Sequence, residues 1–170
     1  MLSEFLILLV DDEPSVVDIL NRVAKYDFPE ATFLYASCFE EAEHYLENLE
    51  GYGPNLILLD INLQLSRDGL DFLAFVRKHP QGHLIPVVIL SSINESSKIR
   101  EAYQLGVSSY TNKPYDYKAW KTYVRILRQY WFETVTTPSV WFEKQSIHET
   151  SHQNAISSKI LLGLPIDNVS

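Results

Sequence analysis

The sequence predicts an α/β fold, a doubly wound parallel sheet of five strands built as (βα)5. Three observations carry this prediction. Five short apolar stretches lie at Phe5–Val10, Ala31–Ala36, Leu56–Asp60, Pro86–Ser91 and Ser108–Asn112. The segments between them are long enough for helices, and strands alternating with helical patterns form βαβ units. Polar residues able to carry chemistry stand at the ends of these stretches.

The stretches are of two kinds. Phe5–Val10, Leu56–Leu59 and Val87–Leu90 are continuous hydrophobic runs, as in strands covered on both faces. Ala31–Ala36 and Ser108–Asn112 mix in Thr, Tyr, Ser and Asn, which suits edges. Strands one, three and four inside, with two and five outside, give the order 2-1-3-4-5. That is the flavodoxin-like order, with its ligand crevice between strands one and three.

The helices follow from local signals. Pro14 fits the first turn of helix one, where its missing N–H costs nothing. Ser37 caps a helix over Phe39–Leu49. Helix three runs over Gly69–Lys78 and stops near His79–Pro80. Ile99, Ala102, Tyr103 and Leu105 give helix four an apolar stripe, and Gly106 ends it. In helix five Tyr117, Trp120, Val124, Leu127 and Trp131 recur at helical spacing and face the core. Tyr123, Ile126 and Tyr130 lie on another face of that helix, either widening the core stripe or forming an aromatic contact surface. The expected domain spans residues 4–132. Residues 133–170 are expected to be a largely flexible extension, since 143–159 are polar without a periodic apolar face. Ile160–Ile166 is a short apolar patch within it.

Composition sets the boundaries. The 170 residues suffice for one domain, and 46% hydrophobic with 21% charged residues is a globular balance. No apolar run is long enough to span a bilayer. The start lacks a secretory pattern and Cys38 is the sole cysteine, so a reducing cytoplasm is expected. The net charge of −8 repels phosphate backbones, so neither nucleic acid nor membrane is an expected partner.

Asp11 and Asp12 end strand one and Asp60 ends strand three. The predicted order makes these strands neighbours, so the acids converge on the crevice. Ser91 ends strand four, and Lys113–Pro114 follows strand five. Three carboxylates about 5 Å apart repel by ~3 kcal/mol per pair at an effective dielectric near 20. A divalent ion with oxygen ligands offsets this, and Mg²⁺ favours few carboxylates together with water and phosphate. Such a site suits phosphoryl transfer. Asp60 stands alone on its strand and is the nucleophile candidate for an acyl phosphate, leaving Asp11 and Asp12 for the metal.

The segments LILLVDDEP (6–14), LILLDINL (56–63), PVVILSS (86–92) and GVSSYTNKP (106–114) resemble the CheY-like response regulator receiver domain, over roughly residues 4–132. The resemblance implies that Asp60 is the phosphoacceptor. Asp12 would bind Mg²⁺ directly, Asp11 through water, and Asn62 through its backbone carbonyl. Ser91 and Lys113 would contact the phosphoryl group. Tyr110 would be the switch aromatic, and the Lys113–Pro114 bond would be cis. Gln64 stands where the family often has Pro, the loop 64–68 is one residue longer than usual, and Ser91 replaces the commoner Thr. Small Ser92 leaves access to Asp60 open. The stretch RQYWFETVTTP (128–138) resembles single-domain regulators that partner cyanobacterial phytochrome histidine kinases and dimerise near the end of helix five.

The resemblance therefore implies a single-domain, cytoplasmic phosphoprotein of a two-component phosphorelay. It would be phosphorylated by a sensor histidine kinase of phytochrome type, and would catalyse only its own phosphorylation and dephosphorylation. Output would run through protein contacts, including a homodimer formed by helix four, strand five, helix five and the segment beyond. A shuttle to a histidine phosphotransfer protein is the alternative. A Mg²⁺-dependent aspartyl phosphohydrolase is a further one, opposed by the adjacent acids where such enzymes carry DxD after strand one. The His148–His152 pattern HExxH lacks the third ligand and the apolar helix of a zinc site. Cys38 reads as a small, partly buried residue starting helix two. His44, His79 and His83 read as surface or loop residues.

Overall fold

The computed structural model describes residues 4–64 and 67–143. In chain order they form β1 (Phe5–Val10), α1 (Pro14–Asp27), β2 (Ala31–Ala36), α2 (Phe39–Glu47), β3 (Gly51–Tyr52) and β4 (Leu56–Leu59). Then come α3 (Gly69–Lys78), β5 (Val87–Ser91), α4 (Ser96–Gln104), β6 (Ser109–Asn112), α5 (Tyr117–Leu127), a π-helical turn (Arg128–Thr134) and β7 (Trp141–Phe142). The main sheet is parallel in the order β2-β1-β4-β5-β6. This is the predicted 2-1-3-4-5 order, renumbered by the two-residue strand β3 that sequence reading missed.

Strand side chains alternate between two covered faces, as a period of two requires. Leu8, Val10, Ile57, Leu59, Val87 and Ile89 face α2, α3 and α4. Ile7, Leu9, Leu56, Leu58, Val88 and Leu90 face α1 and α5. The three central strands are almost wholly buried and the edge strands are not, as their compositions predicted.

Capping follows local chemistry. Asp68 and Asp71 form a capping box at the start of α3. The Asp116 carboxylate accepts from Ala119 N at the start of α5. Gly106 N and Val107 N bond back to Tyr103 O and Ala102 O and close α4. Ser37 does not cap α2. Its N–H and hydroxyl donate to Glu41, and Cys38 takes the N-cap position. Helix α2 stops at Glu47, two residues early, where Asn48 bonds back to His44 O. The stripes on α4 and α5 are narrower than expected: Ala102, Trp120, Val124 and Leu127 are buried, whereas Tyr103 and Tyr117 are half-exposed.

The folded unit does not end at residue 132. The π-helical turn continues α5 to Thr134, and Phe132 packs against Phe5 and Phe28 at ring separations of 5.8 and 5.7 Å. The chain then crosses to the far side of the sheet. There Trp141–Phe142 pairs antiparallel with Gly51–Tyr52. Val140 and Phe142 are buried in the core beneath α2 and α3. Residues 133–143 are thus a docked strap, a correction to the extension expected from 133 onward. Burial of Val140 and Phe142 holds this segment to the core. The expectations for residues 144–170, including 148–152 and 160–166, lie outside the described residues.

Candidate functional site

At one end of the sheet, adjacent strands release their polar residues into a shared space. Val10 and Leu59 are register partners, and Asp60 N donates to Val10 O at 2.8 Å. Asp11 N donates to Ala36 O at 3.1 Å, and Lys113 N to Ser91 O at 3.0 Å. The ladders thereby carry Asp11, Asp12, Asp60, Ser91 and Lys113 to one rim, as the sequence predicted. Gly69 completes the fit, because a Cβ there would lie 2.0 Å from Asp60 O. Only glycine lets α3 start this close to the Asp60 backbone.

Asp60 is buried and doubly held. Its Oδ1 accepts from Ser91 Oγ at 2.7 Å and from Asn62 N at 3.2 Å, and its Oδ2 meets Lys113 Nζ at 2.7 Å. Lys113 Nζ also lies 2.9 Å from Glu13 Oε1 and 2.9 Å from Asp11 Oδ2. The Glu13 contact is a well-angled hydrogen bond, whereas the Asp11 contact is a close ion pair that misses the angle. Asp11 Oδ1 accepts from Glu13 N at 2.9 Å.

Asp11, Asp12, Glu13 and Asp60 each present an oxygen within 4.8 Å of the others. One ammonium, Lys113, contacts three of these four carboxylates, those of Asp11, Glu13 and Asp60. Burial pushes the Asp11 carboxyl up to about 6, against the lowering effect of the Glu13 N–H and Lys113. Burial alone would lower the Lys113 ammonium. Its bonds to Asp60, Glu13 and Asp11 outweigh that and hold it above its usual range. Asp12 Oδ2 is buried with no hydrogen-bond partner. Asp11, Asp12 and Asp60 form an all-oxygen, anionic donor set, and with that orphan atom it fits a hard divalent cation.

A chain of contacts leads away from Asp60. Ser91 Oγ, which donates to Asp60, accepts a long bond from Ile93 N at 3.4 Å. Ile93 O accepts from the Tyr110 hydroxyl at 2.6 Å. Tyr110 is half-buried against the core, and burial raises its hydroxyl pKa. All seven expected site residues therefore lie on one connected cluster. Glu13 was missed, although a third consecutive acid before Pro14 was its visible signal.

Other expectations change. No peptide bond among the described residues is cis, so Lys113–Pro114 is trans. Trans is the intrinsically preferred form of an X–Pro bond, and Lys113 reaches its partners from it. His79 is buried and not superficial, packed between Phe75 and Phe142 at ring separations of 5.8 and 5.3 Å. None of His44, His79 and His83 enters the site. Leu65 and Ser66 of the lengthened loop lie outside the described residues.

Comparison with known proteins agrees with this geometry. Residues 7–125 match the response regulator receiver domain family. The chain is 32% identical over 139 residues to the response regulator Rcp1 of Synechocystis, covering 78% of this chain and 92% of that protein. It is 27% identical to the chemotaxis protein CheY of Halobacterium salinarum over 112 residues, covering 64% and 84% respectively. Among solved structures, the phosphorylated cyanobacterial phytochrome response regulator RcpA superposes with a TM-score of 0.73 at 28% identity, covering 81% of this chain and all of that one. The Mn²⁺-bound form of Rcp1 gives 0.70 at 30% identity, covering 79% and 99%.

Proposed function

The chain belongs to the response regulator receiver domain family, a CheY-like module of two-component signalling, and on that premise we propose that it works by accepting a phosphoryl group on Asp60 from a histidine kinase. One observation carries the reading. The Asp60 carboxylate is held by a hydroxyl on one oxygen and an ammonium on the other, beside an unpartnered Asp12 oxygen.

The chemistry follows from those contacts. An Asp60 oxygen forms the bond to phosphorus as the P–N bond of a phosphohistidine breaks, and the electron pair returns to the imidazole. Lys113 orients Asp60 beforehand and then meets the charge of the incoming phosphoryl oxygens. Ser91 Oγ needs little movement to pass from Asp60 Oδ1 to a phosphoryl oxygen. Its link through Ile93 to Tyr110 couples that exchange to α4, β6 and α5. Asp12, Asp60 and the Asn62 carbonyl would hold Mg²⁺ directly, with Asp11 acting through water. The ion would neutralise charge on the transferring group. In this reading the acceptor is the protein's own aspartate, so the chain acts as a switch and not as an enzyme with a free substrate.

Output through a homodimer is supported by Tyr103 on α4 and Ile126 on α5, both more than half exposed, and by Tyr130 just beyond. The names of the relatives point to a phytochrome-type kinase as the donor. The net charge of −8 supports a protein that acts without nucleic acid, and the single cysteine supports a reducing, cytoplasmic setting. No described helix is long and apolar enough to cross a membrane.

Intact-mass spectrometry after incubation with acetyl phosphate tests the proposal. A single phosphoryl adduct that needs Mg²⁺ and vanishes in Asp60→Asn is expected. An undiminished adduct in that variant would sink the assignment.

A further inference from the structure

Glu13 occupies the N-cap of α1 yet makes no capping bond. Its side chain turns away from the helix and lies 2.9 Å from Lys113 Nζ. Lys113 donates hydrogen bonds to Asp60 and Glu13 and forms a close ion pair with Asp11. A phosphoryl group on Asp60 brings new anionic oxygens that compete with these carboxylates for Lys113.

The three partners are not equally free to go. Asp60 is tied through Ser91 Oγ and Asn62 N, and Asp11 through Glu13 N. Both side chains are almost fully buried, whereas that of Glu13 is 55% exposed. Beside it opens a cleft of about 330 Å³, lined among others by Glu13, Ser92, Lys113 and Tyr115. Glu13 can therefore swing into water and regain its hydration, while either aspartate would lose buried contacts.

We propose that Glu13 is a positioning residue that occupies one N–H of Lys113 until a phosphoryl oxygen displaces it. It keeps Lys113 aimed at Asp60 in the resting protein and sets how readily that lysine is released. The inference rests on the reading of Asp60 as the phosphoacceptor.

Calorimetric titration of the full chain separates the two ideas. The probes are Mg²⁺ alone and beryllofluoride, a phosphoryl mimic, added with Mg²⁺. The proteins are wild type, Glu13→Gln and Glu13→Asp. Asp keeps the charge but is one methylene too short to reach Lys113, and it caps α1 instead. Both variants are expected to bind beryllofluoride about two- to fivefold more tightly, the worth of an ion pair with one exposed member. Their Mg²⁺ affinity should match wild type. Wild-type beryllofluoride binding in Glu13→Asp would reduce the effect to charge and overturn the proposal. Weaker Mg²⁺ binding in Glu13→Gln would make Glu13 a metal ligand and also overturn it. A wild-type protein that binds no beryllofluoride would instead defeat the Asp60 reading and this proposal with it.

Discussion

The two ends of the central sheet are held together by opposite means. At the carboxyl ends of the strands, Asp11, Asp12, Glu13 and Asp60 crowd around Lys113, and stability there depends on charge balance. At the other end, Val140 and Phe142 of the strap sit in the core, and stability there depends on apolar burial. A site that must bind a cation and a phosphate is built with unsatisfied charge. A strap that must only close the fold is built without it. The difference predicts that the two ends respond to different reagents.

The largest expected effect separates them by metal. Lys113→Met leaves Asp11 and Asp60 buried without their cation. The loss is about 3 kcal/mol, typical of breaking a buried ion pair. Millimolar MgCl₂ should recover part of it, because the acids left without Lys113 then bind the ion more strongly. Urea melts with and without MgCl₂ measure this. A loss indifferent to Mg²⁺ would mean that Asp11, Asp12 and Asp60 do not act as one donor set.

Phe142→Ala should cost a similar amount, about 3 kcal/mol for a buried ring, with no recovery in MgCl₂. Its specific partner is Gly53, where an added Cβ would stand 2.4 Å from the Phe142 ring. Gly53→Ala should therefore cost about 1–2 kcal/mol in the wild type through overpacking, and far less in Phe142→Ala. Additive losses in that cycle would show that the strap does not rest on Gly53. Acetyl phosphate labelling of Asp60 should persist in both variants, since the strap lies at the opposite end of the strands.

These two ends were not equally legible. Asp11, Asp12, Asp60, Ser91 and Lys113 were found because each directly follows or ends a strand that hydrophobicity reveals, and parallel order then brings the strand ends together. Side-chain type and strand position sufficed. The strap offered no such signal. Trp141–Phe142 is two residues long, and its partner Gly51–Tyr52 lies 90 positions earlier. Neither has a period to read, and only the tertiary pairing makes them strands. Tyr117 and Tyr103 erred in the opposite direction: their spacing matched a core stripe, but the stripe was wider than the surface available to cover it. Glu13 was overlooked for a third reason. Its place before Pro14 reads as a helix start, whereas its side chain serves Lys113.

The smallest expected effect concerns the root of the strap. Arg128 Nε and Nη2 donate to the two oxygens of buried Glu30 at 2.9 and 2.7 Å, and Arg128 also pairs with Glu133. The hydrogen bonds from Arg128 hold the Glu30 carboxyl below its usual range, despite the opposing effect of burial. The sign follows from linkage. Below the unfolded value of about 4.5, the unfolded chain binds the proton more readily than the folded one. Stability from this pair is therefore complete above that pH and is lost as pH falls through the lowered folded value. Glu30→Gln removes the titrating group. It should cost about 1 kcal/mol at neutral pH and flatten the acid limb of the stability curve below about pH 4.5. Urea melts between neutral pH and the acid limb decide it. An acid limb as steep in Glu30→Gln as in the wild type would mean that Arg128 anchors the strap by packing on Phe132, where its guanidinium stands 5.6 Å from the ring, and not by charge.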